Sequence, residues 1–403
     1  MAPLLPIDEA LAIVLARAPQ PTLVRVPIGD AQGMVLAVDL CADRDQPPFD
    51  RSAMDGIALG SVDASAGALL AIVGTSAAGV PFGGELRSGT CIRIFTGAVV
   101  PGAADCVVPV EQVTFEGDTC KLAVSGRPGQ HVARQGSEVR QGGVVVAAGS
   151  VLTAARLGVA AAFGHAEVAV ARRPRAVVLP TGDELVAVDV APGPGQIRDS
   201  NRYALAEILR RGGAETLHMP VAGDSADDLH RALSAALRAA DLVVTCGGVS
   251  AGDLDLVAPA LRELGAEIHF HKIAIKPGKP LLFATVGDKV VLGLPGNPVS
   301  AAVCATLYAM PLLAAMQGQA ATGWHLAGVP LSAPLPAAGL RDEIVPLVAK
   351  SLAGRMTMTP VATAGSADVF AFSRATHLGL HRAGSAALQA GDAIDVVTWP
   401  PLA

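Results

Sequence analysis

From about residue 175 to 320, short apolar runs alternate with turns rich in Gly and ionisable residues, and this pattern constrains the fold most. Arg175–Leu179, Leu242–Thr245 and Val290–Leu294 are nearly unbroken apolar runs, as expected of strands buried on both faces. Helix-length segments separate them. Arg202–Arg211 follows Ser200 or Asn201 as N-cap and stops at Gly212-Gly213. Ser225 caps a segment with Leu229, Ala232, Leu233, Ala236 and Leu237 on one face, and Asp255–Leu264 ends at Gly265. Thr216–Val221, Ile268–Ile275 and Leu281–Val286 supply further strands, and another helix begins near Pro298. The alternation predicts a doubly wound, largely parallel α/β sheet.

The remainder reads differently. Residues 7–18 form an amphipathic helix candidate, and about 22 to 150 is a series of short β-type runs among Gly/Pro turns. A second helix is expected over 153–163 and a strand over Ala166–Val170; short β runs return after about 323. At 403 residues the chain has room for two to four domains. Its 30 Lys+Arg against 36 Asp+Glu give a net charge of −6, which argues against nucleic-acid binding by bulk positive charge. Charged residues are 16% and apolar residues 51%, so large cores are expected, built from Ala, Val and Leu because aromatics are 3%. Six cysteines without a Cys-x-x-Cys pair give no disulfide or zinc framework and fit a reduced, cytoplasmic compartment. The first ten residues lack the basic region of a signal peptide. Val290–Trp324 carries no Asp, Glu, Lys or Arg, but its Gly, Pro and Asn breaks predict a strand, a turn and a core helix, not a membrane span.

Ligands of open α/β sheets bind beyond the carboxyl ends of the strands, where the unusual residues of this region fall. The first run leads into Thr181-Gly182-Asp183-Glu184, the second into Gly223-Asp224-Ser225, and the third into Gly247-Gly248-Val249-Ser250-Ala251-Gly252-Asp253-Leu254-Asp255. Later runs lead into Lys272, Lys276 and Lys279, and into Pro295-Gly296-Asn297-Pro298. Glycine turns let backbone N–H groups approach an anion, a helix start with Pro at its first position adds a second anion-receptive turn, and three lysines suit an oxyanion. Glu184, Asp224 and Asp255 add carboxylates, whose use beside phosphate is to hold Mg²⁺. Each loop also has a plain structural reading: a turn, a helix cap at Ser225, a solvated lysine edge. Their convergence on equivalent strand ends favours a site. Cys246 reads as a buried strand residue, and His269 and His271 as edge or surface residues.

A second polar cluster, Pro47-Pro48-Phe49-Asp50-Arg51-Ser52-Ala53-Met54-Asp55-Gly56 with Phe95-Thr96-Gly97-Ala98, fits no phosphate loop; a cleft-lining and a structural role stand equally open.

Seven stretches, in order along nearly the whole chain, resemble the molybdopterin molybdenumtransferase family (MoeA-like proteins and the E domain of gephyrin). They are Phe49–Gly56, Ile94–Ala98, Thr181–Leu185, Asp199–Asn201, Cys246–Asp253, Ile275–Pro280 and Leu294–Ser300. The sequence departs from the family pattern at Arg51 and Ile57, at Thr376-His377, and before Ser366. The resemblance implies an elongated homodimer with a discontinuous stalk (1–41 and 135–172), an inserted β domain (42–134), a molybdopterin-binding α/β domain (173–322) and a C-terminal β-barrel (323–403). It implies insertion of molybdate into adenylylated molybdopterin with release of AMP, assisted by Mg²⁺, in a cleft between the α/β domain of one subunit and the inserted domain of the other. By motif, Glu184, Asp224 and Asp255 would be the Mg²⁺-linked acids, and Lys272 and Lys276, with Lys279 beside them, would meet phosphate or molybdate. Ser250 and Gly247-Gly248 would hold the pterin phosphate region, and Asp55 and Thr96 would come from the facing subunit. Ser300, Arg341 and Ser366 would complete an oxyanion site. Two rival activities are adenylylation of molybdopterin and a non-catalytic scaffold.

Overall fold

The computed structural model describes residues 4–248, 256–319, 324, 327–352 and 354–399. Its central sheet has six strands: β1 (Arg175–Pro180), β2 (Glu215–His218), β3 (Leu242–Cys246), β4 (Glu267–Phe270), β5 (Leu282–Val286) and β6 (Lys289–Leu294), in spatial order β2-β1-β3-β6-β5-β4. β2, β1, β3 and β6 are parallel, and β5 runs antiparallel to both neighbours. The inversion follows from connection length, because Gly287-Asp288 makes a tight hairpin where a parallel pair would need a crossover. It also brings the start of β5 to the rim where β4 ends.

Alternate side chains of the inner strands feed two cores. Ala176, Val178, Leu242, Val244, Val290 and Leu292 pack under the helices Asn201–Arg211 and Pro298–Met316. Val177, Leu179, Val243 and Val291 pack under Ala226–Ala239 and Val257–Glu263. Burial on both faces explains the unbroken apolar runs. Pro298–Met316 is long and apolar enough to cross a membrane, yet its side chains lie mostly inside the first core, as its sequence breaks imply. A π-helical turn over Ala305–Ala309 interrupts it. The indole N–H of Trp324 donates to the Leu307 carbonyl at 2.7 Å, supplying the partner the irregular turn requires.

Three sequence expectations are corrected. Helix Ile7–Ala16, expected in the stalk, buries Ile7, Ala10, Leu11 and Val14 in the central core, and its Ile7 carbonyl accepts from the Tyr308 hydroxyl. Ile268–Ile275 is not one strand. The chain leaves β4 at Phe270, and Ile275–Lys276 pairs instead with Asp342 and Glu343 of the following sheet. Helix Asn201–Arg211 is capped by neither Ser200 nor Asn201; Asp199 accepts the Arg202 N–H at 3.1 Å.

Before the central sheet, Leu23–Pro27 pairs antiparallel with Glu167–Ala171, Leu40–Cys41 with Val144–Val146, and Arg51–Ser52 with Val132–Ala133. The outgoing and returning chains are thus zipped together. A six-stranded sheet over Gly56–Leu122 lies beyond the zipper, with apolar clusters on its two faces. Within it the Cys91 and Cys120 sulfurs lie 3.4 Å apart. Their strands flank Leu69–Ser76 on opposite sides, about 10 Å apart by strand spacing, too far for an unstrained disulfide. After the central domain, strands Ala327–Pro330, Asp342–Leu352, Arg355–Pro360, His377–His381 and Ala393–Thr398 form one sheet. A bridge from Leu331 to Met358 brings its outer strands together over a core including Val329, Leu347 and Ile394.

Candidate active site

The strand order dictates how the rim is built. At its left end, the turns after β1 and β2 interlock: the Asp183 N–H donates to Asp224 Oδ2 at 3.1 Å, and the Asp224 N–H donates to Asp183 Oδ1 at 3.2 Å. Both aspartates are exposed, and the Glu184 carboxylate folds back over Gly182, lying 2.2 Å from where a Cβ there would stand. Ser225 is the helix cap its bland reading implies, accepting the Asp228 N–H at 3.1 Å.

Next along the rim, β3 ends in Gly247 and Gly248, with φ of 103° and 64°. A Cβ at Gly247 would stand 2.7 Å from both the Thr181 carbonyl oxygen and Oγ1, so the turn presses against the end of β1 where no side chain fits. On its other side lies the turn after β6. Asn201 ties the two, its Nδ2 donating to the Gly296 carbonyl at 2.8 Å and to the Cys246 sulfur at 3.1 Å. Cys246 is buried, which pushes its thiol up to about 12, and it is not a nucleophile. Pro295 is buried and Gly296 and Asn297 are exposed. The Asn297 side chain does not cap the helix it precedes; its Nδ2 donates at 3.1 Å to the Ser366 hydroxyl, in the turn that follows strand Arg355–Pro360.

The right end is the loop between β4 and β5. The Ile273 N–H donates to the Lys279 carbonyl at 3.0 Å, closing the loop so that Lys272 and Lys279 flank its neck. Gly278 packs against Cys304 and the Ser300 carbonyl, which places the loop beside the helix from Pro298; Ser300 itself is buried. Lys276 forms an ion pair with Glu343 at 3.2 Å, and Arg341 donates to the Ile275 carbonyl at 3.1 Å.

Glu184, Asp224, Gly247, Gly248, Gly296, Asn297 and the lysine loop therefore share one rim, with Arg341 and Ser366 meeting it from the last domain. They do not form one compact cluster. The acidic turns and the lysine loop stand three or more strand positions apart, roughly 14 Å at ~4.8 Å per strand. Ser250 and Asp255 lie outside the described residues. Asp55 and Thr96 stand in the earlier sheet, where Asp55 Oδ1 accepts from the Thr96 N–H and hydroxyl, both at 2.7 Å. The Thr96 N–H, and then its hydroxyl, hold the Asp55 carboxyl below its ordinary value. The rest of that motif is structural: Asp50 binds Arg134 and Gln135, and Arg51 binds Glu138, stapling the outgoing chain to the returning one. His269 stands on the edge strand β4, as expected, with its ring tucked inward against Phe283 and Nε2 2.9 Å from the Thr285 hydroxyl. No cluster of three metal-ligating side chains occurs among the described residues.

Sequence reasoning gave Asp183 no role beyond its place in the loop after the first run, read Asn201 as a helix cap, and missed Glu343. Asp183 was legible as part of Thr181–Glu184; Glu343, 67 residues from its lysine, was not.

Two family models match the chain: the MoeA N-terminal region (domain I and II) over residues 5–164, and the "Probable molybdopterin binding domain" over 177–315, which includes the rim. A molybdopterin molybdenumtransferase of Haemophilus influenzae is 38% identical over 318 residues, covering 78% of each chain. The chain belongs to the molybdopterin molybdenumtransferase family. A relative of the same name from Staphylococcus epidermidis is 28% identical and extends the match to 97% of this chain and 94% of its own. A solved molybdopterin biosynthesis moeA protein of Pyrococcus horikoshii OT3 superposes with a TM-score of 0.86 at 25% identity, over 98% of this chain and 100% of that one. The family's fold therefore runs through nearly the whole chain, including the segment after residue 327 whose strand Asp342–Leu352 and loops supply Arg341, Glu343 and Ser366 to the rim.

Proposed function

We propose that this protein inserts molybdenum into molybdopterin, taking molybdate and adenylylated molybdopterin as substrates and releasing AMP. The observation that carries the reading is the division of the rim: acidic turns at one end, ammonium groups at the other, and between them a glycine turn that admits no side chain. A long substrate with a phosphoanhydride at its middle suits such a rim better than a single compact anion does. The backbone of Gly247-Gly248 would approach the phosphate region, and Lys272, Lys276 and Lys279 would offset oxyanion charge. Asn297 and Ser366, already bonded to each other, present an amide and a hydroxyl beside them.

Mg²⁺ fits the donor chemistry of the acidic end. Glu184 and Asp224 offer carboxylate oxygens at neighbouring strand ends, and Mg²⁺ is commonly held by one or two carboxylates together with substrate phosphates and water. When bound, it would neutralise phosphate charge; Asp255 would be a further ligand. We read the protein as a homodimer, with Asp55 and Thr96 of one subunit facing the rim of the other, and place it in the cytoplasm. Adenylylated molybdopterin incubated with the protein should release AMP only when molybdate is added. Lys276→Ala and Asp224→Asn should retain the fold and lose that release by at least about 100-fold, the scale of removing one preorganised charge-stabilising group. Consumption of ATP with molybdopterin, or wild-type AMP release by both variants, overturns the assignment.

A further inference from the structure

A cavity of about 350 Å³ opens at the opposite end of the central sheet, away from the rim described above. Three chain segments meet there: the exit from the first helix at Arg17 and Gln20, the crossing into the central domain at Arg172, and the start of β3 and the β5–β6 hairpin at Asp241 and Lys289. The junction is tight, with the Arg172 N–H donating to the Thr22 carbonyl at 2.7 Å.

Its charges do not cancel. Asp241 is shared by two cations: its Oδ2 accepts from Arg172 at 2.9 Å, and its Oδ1 lies 3.4 Å from the Lys289 ammonium. Burial opposes its ionisation, but the Arg175 N–H, Arg172 and Lys289 hold its carboxyl below the ordinary value, so it stays a carboxylate. Asp288, the other acid at the mouth, is 83% exposed and 3.7 Å from Lys289, where water screens it. Arg17 is exposed, and its guanidinium makes one long hydrogen bond, 3.5 Å, to the Ile13 carbonyl of its own helix. The cavity thus holds a fork of donors and an excess of positive charge. Pro19, Pro174, Val290 and Met316 supply an apolar wall.

We propose that this cavity binds a small organic oxyanion, a phosphate monoester or a carboxylate, with Arg17 as its principal ligand and Lys289 and Gln20 beside it. A guanidinium binds either oxyanion through paired N–H donors, and a volume of this size with an apolar wall suits an organic body larger than a bare tetrahedral ion. A bound ligand would bridge the chain leaving the first helix to the base of the sheet, stiffening the junction. The inference is independent of the activity proposed for the rim.

Crystals soaked separately with 4-bromophenyl phosphate and 4-bromobenzoate locate each probe by bromine anomalous scattering and separate the phosphate source from the carboxylate source. Calorimetric titrations of the same probes into wild type, Arg17→Ala and Arg355→Ala then read affinity. The proposal expects bromine density for at least one probe beside Arg17. It also expects binding at least about tenfold weaker in Arg17→Ala, the loss of one charged hydrogen-bonding group, and no change in Arg355→Ala, an exposed cation of the C-terminal sheet that lines neither the cavity nor the rim. No density in the cavity with either probe, or an Arg17→Ala affinity equal to wild type, overturns it.

Discussion

Replacing Gly247 by Ala tests whether the central turn is as tightly placed as the rim requires. The new Cβ would stand 2.7 Å from the Thr181 carbonyl oxygen and equally close to its hydroxyl, at a φ of 103°. Strained backbone of this kind costs about 1–3 kcal/mol, and forcing a methyl into packed surroundings about 1–3 kcal/mol more, so ~2–6 kcal/mol is expected. The strain cannot dissipate cheaply. Thr181 is held to the Cys246 carbonyl at 3.0 Å, and Gly247 to the Leu294 carbonyl at 3.1 Å, so any shift opens the β1–β3–β6 ends together. Gly265→Ala is the control: its φ is 80°, nothing lies within 4 Å of the added carbon, and only the backbone cost of about 1–2 kcal/mol applies. Urea unfolding followed by Trp324 fluorescence in a Trp399→Phe background reports on the central core, where Trp324 packs edge-on to Tyr308. Gly247→Ala should be more destabilising than Gly265→Ala by at least ~1 kcal/mol; equal midpoints and slopes would refute the close packing.

Asn201→Ala removes the donor that ties the Gly296 carbonyl to the end of β3, and AMP release should fall about tenfold with unchanged circular dichroism, as for one lost hydrogen bond of 1–3 kcal/mol. Restoration of wild-type rate in Asn201→Ala would argue against that tie. The Asp55 carboxyl, held low by two Thr96 donors, contributes a contact that is complete above its unfolded value and lost as pH falls through its lower folded value. The Thr96 amide resonance should therefore titrate with a midpoint below 3.8, and in Thr96→Val the Asp55 midpoint should rise. Arg382 joins Asp8 at 2.7 Å and Asp342 at 3.4 Å, but it is 40% exposed, so Arg382→Ala should cost no more than ~1 kcal/mol in urea unfolding and less at high salt.

What the sequence disclosed followed its local physics. Val177 and Leu179 alternate with Ala176 and Val178 between two cores, and that double burial wrote the unbroken apolar run of β1 into the chain. The rim loops were equally visible, because right-handed crossovers leave parallel strand ends together. Long-range pairing was not visible. No spacing rule connects Lys276 with Glu343 or Asn297 with Ser366, since both contacts depend on how the last sheet docks. The Asn201 amide also escaped local reasoning: helix-start propensity pointed to a cap, whereas the Asp199 side chain took that task and left Asn201 to join β3 to the turn after β6.

The lysine loop shows why the last domain bears on chemistry that the central domain alone resembles. Ile275–Lys276 is hydrogen-bonded into the sheet of the last domain, in register with Asp342 and Glu343, while both ends of the loop remain anchored in the central sheet through β4 and β5. Its ammonium group is therefore positioned by two domains at once. Glu343 holds the exposed Lys276 side chain in one direction at little energetic gain, because a pair this exposed is worth ~0–1 kcal/mol. In the proposed reaction, that weakness would let Lys276 exchange its carboxylate partner for an incoming oxyanion. A strongly held pair would oppose the exchange, and an unpaired lysine would have no preferred direction.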